Sequence, residues 1–158
     1  VANLSGKAKG QVVSVNISRK KSVRKKPVGQ GRLKKGYGFL GDAHAGDWHR
    51  QVSLLALESI EKMQKQGLKV KPGDFAENIT TQGLELLSLP VGTKIRVGKS
   101  VLLEVSQVGK VCHTKCAIYY QAGDCVMPRE GIFAQVLEEG EVKAGDQIEV
   151  LSGENDSS

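Results

Sequence analysis

Residues 73–112 read GDFAENITTQGLELLSLPVGTKIRVGKSVLLEVSQVGKVC. Short runs rich in Val, Ile, Leu and Thr are separated by Gly-Asp, Thr-Gln-Gly and Pro-Val-Gly turns, and the stretch closes on a cysteine. β-Branched side chains pack well on a pleated surface, while glycine and proline punctuate it. The pattern predicts strands over 75–81, 94–97 and 101–108, with turns at Gly92 and Gly98. Downstream, Gln147 to Leu151 repeats it behind a turn at Gly145. Upstream, Gln11 to Ile17 alternates as a strand, and the apolar run Val52 to Leu55 predicts a buried one. Leu57, Ile60 and Met63 then recur at helical spacing with Gly67 as a stop, which predicts one helix of about three turns over 57–66. Residues 117–122 and 133–137 fit either a short helix or a buried strand. Residues 18–35 are basic, contain Pro27 and run into a glycine-rich stretch; they are predicted to be a loop that orders on binding an anion. Many short strands, glycine-rich turns, one main helix and short helical turns predict a mostly β protein, a β-barrel. One domain over 10–151 is expected, with disordered ends at 1–9 and 152–158.

A chain of 158 residues fits one domain with a sizeable core. No run of about 18 apolar residues occurs, so no membrane span is predicted. The opening VANLSGKAKGQ lacks the apolar stretch of a secretory signal. Three cysteines cannot close a set of internal disulfides, so a reducing compartment, the cytoplasm, is expected. The net charge of +6 is uneven: residues 1–41 carry eleven Lys or Arg and no acid, and residues 42–158 carry twelve against seventeen Asp or Glu. The cluster from Arg19 to Lys35 suits phosphate or another polyanion, or is solvated surface. No stacking residues are interleaved in it, so a small phosphorylated ligand is expected rather than nucleic acid.

Three segments, in this order, resemble the MOSC domain, the family named for the C-terminal domain of molybdenum-cofactor sulfurases. They are GDAHAGDWHRQVSLLALESIEKM from Gly41, the stretch from Gly73 quoted above, and EVKAGDQIEVL from Glu141. The resemblance spans about residues 10–151. It implies a β-barrel of MOSC type with a site for molybdopterin, or a sulfur or metal species, built around a cysteine.

Cys112 and Cys116 stand in a C-x3-C pair with His113 between them, and Cys125 follows nine residues on. A structural zinc site needs a second close pair of ligands. None follows, and His44 and His49 lie far upstream, so no structural zinc is expected. Cys116 precedes the apolar Ala117, Ile118 and Tyr119 and suits burial. A thiolate can bind molybdenum, carry a persulfide or attack an electrophile, and Lys110, Lys115 and Arg129 favour that form. SQVGKVC from Ser106 resembles the family segment in which a strand delivers a cysteine to the pocket. YYQAGDC places Cys125 where the MOSC proteins that reduce N-hydroxylated compounds carry their molybdenum-ligating cysteine. Cys112 and Cys125 are thus both candidates as catalytic group and metal ligand.

Asp42, His44, Asp47 and His49 form a polar cluster that suits a divalent metal or merely a hydrogen-bonded turn. Its likeness to the family's DxHxG segment implies a loop over the ligand pocket, with Asp42, His44 and Arg50 as cofactor contacts. A guanidinium fork matches phosphate oxygens. Asn78 and Thr80 match the family's Gly-Glu-Asn stretch and Thr-x-Gly turn; they are candidates for contact with a pterin edge, or for fixing the turn at Gln82-Gly83. Lys25 and Lys26 precede Pro27-Val28, as in the family's K-x-PV entry to its second strand, and are candidates to face phosphate. Trp48 either stacks on a ligand or closes a core edge. Glu77 is a candidate for proton transfer, although nothing in the sequence shows a raised pKa.

The resemblance implies a module that binds molybdenum cofactor through a cysteine and acts in sulfur transfer or in reduction of N-hydroxylated compounds. A non-catalytic carrier of the same cofactor is the alternative. A basic RNA-binding barrel rests on the charge cluster alone. The expected ligand is a small anionic pterin. Expected protein partners are a molybdoenzyme, a cofactor-biosynthesis protein or an electron donor, because this sequence carries neither a desulfurase domain nor a ferredoxin-type cysteine run. No P-loop, GxGxxG, GxSxG or HExxH signature occurs.

Overall fold

The computed structural model describes residues 9–20, 23–109 and 130–151. In chain order they form β1 (Lys9–Ile17), β2 (Lys26–Pro27), β3 (Gln30–Lys34), β4 (Gly38–Phe39), β5 (Val52–Ala56), α1 (Leu57–Lys65) and β6 (Ile79–Gln82). A 3-10 turn at Leu86–Ser88 follows, then β7 (Lys94–Val97), β8 (Val101–Val108), β9 (Ile132–Glu138), β10 (Gly140–Lys143) and β11 (Gln147–Val150). Seven strands close a ring in the order β1, β11, β7, β8, β9, β5, β6 and back to β1. Neighbours in the ring are antiparallel except β5 and β6, which are parallel and joined through α1, the crossover that a parallel pair requires. β2 pairs with the end of β1, while β3, β4 and β10 make a second, three-stranded sheet. The chain is therefore the mostly β barrel that its sequence predicts, with one helix among the described residues.

Val12, Leu54, Ile79, Ile95, Leu103 and Ile148 belong to the barrel core and have no exposed surface. Val12 and Val15 both join it although they stand three apart, which period-two alternation forbids. The register against β6 shifts between Val12 and Ser14; this bulge lets both valines turn inward. β5 is buried along its whole length. Val52, Leu54 and Ala56 belong to the barrel core, and Leu55 packs with Ile60 and Met63 of α1 and with Phe75 and Phe133. Burial on both faces explains why its sequence reads as a continuous apolar run.

Two expectations need correction. The strand expected over 75–81 is only Ile79–Gln82. Ahead of it the backbone turns, with Gly73 at φ 92° and Ala76 at φ 67°, and delivers Glu77 and Asn78 to the interior. The basic stretch expected to be a loop contains β2 and β3. In β3, Leu33 is buried while Gln30, Arg32 and Lys34 are exposed, so the strand's polar face hid it. Its backbone is paired with β10 and β4. The ambiguous residues 133–137 lie within β9, whereas 117–122 lie outside the described residues. Among the described residues no helix is long and apolar enough to cross a membrane.

Candidate functional site

Between β4 and β5 the chain reads LGDAHAGDWHRQ, too polar and glycine-rich to continue a strand. Side chains from other elements hold this loop at both ends. At the first end Lys25 reaches in from just before β2. Its Nζ donates to Asp42 Oδ1 at 2.8 Å and lies 3.1 Å from His44 Nδ1. The Lys25 and Asp42 side chains have no exposed surface. Asp42 also accepts from the backbone N–H of Ser18 at 3.0 Å and of His44 at 3.1 Å. A buried carboxylate is tolerated when a cation and hydrogen-bond donors surround it in this way.

The far end of the loop is held by β8 and β9. Gln107 Oε1 accepts from Arg50 Nε at 2.9 Å and lies 2.9 Å from His49 Nε2, and its amide nitrogen donates to the Gly109 carbonyl at 2.7 Å. The Ser106 hydroxyl donates to the His49 carbonyl. Gln135 donates to the Trp48 carbonyl at 3.1 Å, and the Trp48 indole N–H donates back to His44 at 2.8 Å. The Arg50 guanidinium carbon stands 5.3 Å from the Phe133 ring centre and 5.9 Å from that of Trp48, within cation–π range. With Nε committed to Gln107, the two terminal nitrogens of Arg50 keep donors without a hydrogen-bond partner among the described residues. Arg50 is thus aimed and half-buried, with its fork still available.

The same glutamine sits at the root of the cysteine-bearing connection. Val108 pairs with Ile132, and the Gly109 N–H donates to the Gly131 carbonyl at 2.7 Å, closing the β8–β9 ladder. Residues 110–129 join these strands and lie outside the described residues, so Cys112, Cys116 and Cys125, with Lys110, Lys115 and Arg129, do too. In sequence, Cys112 follows Gly109 by three positions.

Asn78 and Thr80 belong to a separate buried network. Asn78 Oδ1 accepts from the Ser53 N–H at 3.0 Å, and its Nδ2 donates to the Asn16 carbonyl at 3.2 Å. Asn16 Nδ2 donates to Thr80 Oγ1 at 3.1 Å, which in turn donates to Glu77 Oε2 at 2.6 Å. Glu77 Oε2 also accepts from the Gly73 N–H at 2.9 Å, while Oε1 has no partner. Burial pushes the Glu77 carboxyl above its ordinary value, outweighing the hydrogen bonds that pull it down. Gly73 links this network to the loop: its carbonyl accepts from the Lys25 N–H at 2.8 Å. A Cβ on Gly73 would stand 2.3 Å from the Lys25 carbonyl oxygen, so only glycine permits the approach.

The structure therefore gathers Lys25, Asp42 and His44 into one constellation and places Arg50 at the other end of the same loop. Asn78 and Thr80 are fully buried, and their side chains tie β6 to β1 and β5 rather than to the Gln82-Gly83 turn. Lys26 is exposed on β2. Among the described residues no three His, Cys, Asp or Glu side chains are grouped to hold a metal ion. Sequence reasoning missed Gln107, Asn16 and Ser53. Each is an ordinary polar residue in a strand, and only its long-range partners give it importance.

The sequence model of the MOSC domain matches residues 41–149, from the candidate loop to the last barrel strand. The chain belongs to the MOSC domain family. The family is associated with molybdenum-cofactor binding and with sulfur-transfer and reductase roles. Among solved structures the fold is similar to that of the YuaD protein from Bacillus subtilis, with a TM-score of 0.75 and 22% identity over 91% of this chain and 96% of that one. It is also similar to YiiM from Geobacillus stearothermophilus, with a TM-score of 0.69 and 20% identity over 90% of this chain and 75% of that one. For YiiM from Escherichia coli the TM-score is 0.63, with 24% identity over 90% and 70% of the two chains. A search of curated proteins finds no match.

Proposed function

We propose that this chain binds molybdenum cofactor, or a related sulfur or metal species, beside the His44–Arg50 loop, with a thiolate from Cys112 or Cys125 as the ligand, and acts in sulfur transfer or in reduction of N-hydroxylated compounds. The observation that carries the reading is the Gln107 clamp. One side chain holds both Arg50 and His49 of the loop and the backbone at Gly109, where the cysteine-bearing connection departs. The donor set fits an anionic pterin: a half-buried guanidinium with its fork available, and the His44 imidazole on the same loop. Lys25, Asp42, Asn78 and Thr80 serve this site from behind, by fixing the loop and the backbone around it. Bound molybdenum would supply two-electron redox chemistry or a point of attachment for sulfur. The chain's own part is to orient the anion through Arg50 and His44 and to present a thiolate.

The test is elemental analysis of protein produced in a cofactor-competent host. Stoichiometric molybdenum with pterin fluorescence after oxidation is expected, and its loss in either Cys112→Ser or Cys125→Ser identifies the ligand. Wild-type protein that retains neither molybdenum nor pterin overturns the reading. Turnover of an N-hydroxylated substrate with an added electron donor then separates an enzyme from a carrier.

A further inference from the structure

We propose that the groove between the start of α1 and the 3-10 turn at Leu86–Ser88 is a docking site for a partner protein, entered by a basic segment that carries an apolar side chain. The sequence here reads LELLS from Leu84. Successive residues of a 3-10 turn point about 120° apart, so neighbouring leucines cannot both face the core. Leu84 and Leu86 are buried in the barrel core, and Leu87 is left 49% exposed. A lone exposed leucine needs no explanation. This one stands in the wall of a concavity of about 480 Å³, beside Ala56, Ser59, Leu84 and Leu86. An apolar hollow with an exposed apolar wall is the kind of surface that a partner covers.

Charge selects the occupant. The chain carries 23 Lys and Arg against 17 Asp and Glu, yet the ionisable residues lining this groove are all glutamates: Glu58, Glu85 and Glu130. Glu130 is shared with Lys62. Glu58 and Glu85 are exposed and form no ion pair among the described residues. Lysine or arginine side chains beside an apolar anchor would meet them, whereas an acidic segment or an anionic lipid headgroup would be repelled. A small molecule fits less well, because it needs a few polar groups converging on it. Here the Ser88 hydroxyl is turned to the Glu85 carbonyl at 2.7 Å, and Glu58 Oε2 accepts from the Gly83 N–H at 3.0 Å. The groove contains Ala56, the last residue of β5, while the candidate loop enters the same strand at Val52. Four residue steps, about 13 Å along the strand, separate the two ends. A docked partner would therefore leave the loop open.

The test is titration of the nitrogen-15-labelled chain with a short capped peptide in which adjacent leucines are flanked on both sides by lysine and arginine. The amide signals of Ser59, Glu85 and Leu87 should move, and those of the Asp42 to Arg50 loop should stay in place. Movement at the loop instead of the groove overturns the proposal. Leu87→Ser should weaken binding about tenfold, the scale of one buried leucine. Glu85→Lys should weaken it several-fold, with less effect at high salt. Both side chains are exposed, so neither change disturbs the core. Two control peptides use the wild-type protein alone. Equal binding of a peptide with serine in place of leucine overturns the apolar anchor, and equal binding of one with glutamate in place of the cations overturns the role of charge. Sedimentation equilibrium identifies the remaining occupant: a dimer that Leu87→Ser converts to monomer would assign the groove to a second copy of this chain and overturn the partner.

Discussion

Lys25 heads the largest fully buried side chains, at 1% exposure, and its charge must be matched inside the protein. Removing one member of a buried pair leaves the other unpaired, at a cost of about 3–5 kcal/mol. Lys25→Met is therefore expected to destabilise by about that amount in urea denaturation. Lys25→Met combined with Asp42→Asn should recover a large part, and equal losses in both would show that charge is not what matters there. Glu77 gives a second prediction. Its carboxyl in the folded state titrates above the ordinary 4.5 because burial disfavours its charge. Below 4.5 both states are protonated and the group is neutral in effect; as pH rises from there towards the folded value, only the unfolded chain loses its proton, and stability falls. Glu77→Gln keeps an acceptor for Gly73 and Thr80 but removes that fall. Its stability relative to wild type should grow with pH across this window, and a difference that stays constant would contradict the assignment. Neither pairing was legible beforehand. Lys25 reads as a phosphate-facing surface residue because its partner Asp42 lies on another loop, and nothing in GDFAEN tells a buried Glu from an exposed one.

At the level of elements, legibility followed periodicity. β7 and β8 match the predicted bounds because β7 alternates and the apolar start of β8 follows directly on the Gly98 turn, and α1 shows the three-residue recurrence of an amphipathic helix. β3 was hidden because charge and glycine dominate it, and its one buried apolar side chain, Leu33, makes no pattern. The turn before β6 was hidden by its β-like composition: the left-handed Ala76 interrupts a stretch that reads as one strand. The loop from Asp42 to Arg50 was legible as a candidate from its family motif, but the side chains that hold it were not. Gln107 is the chief of these and is only half-buried. Gln107→Ala should cost about 1 kcal/mol, the scale of one such hydrogen-bonding group. It should nevertheless speed amide exchange across Trp48 to Gln51 and leave β7 unchanged. Exchange that stays slow in the loop would mean that Ser106 and Gln135 hold it without the glutamine.

For the whole molecule, the two-residue period and the family motifs indicate a barrel, but not which strands close it. The seam lies between the first and last strands described, with Gly10 opposite Ile148 and Gln11 opposite Gln147. Local pattern carries no information about a pairing between segments so far apart in sequence. Closure removes the free edges at which an open sheet frays. It also sets the site's dimensions. Lys25 enters from beside β2, which is paired to β1, and Gln107 projects from β8, so the two ends of the candidate loop are fixed by strands on different parts of one ring. Ile148 is fully buried at the seam, and Ile148→Ala should cost about 2–5 kcal/mol. If the ring acts as a unit, that loss should appear equally in the native-state exchange of amides in β1, β11 and β8, since all would open only by global unfolding. Lower protection confined to β1 and β11 would mean that the seam opens alone. Equal loss would mean instead that the positions of Asp42 and Arg50 are held by the stability of the entire barrel.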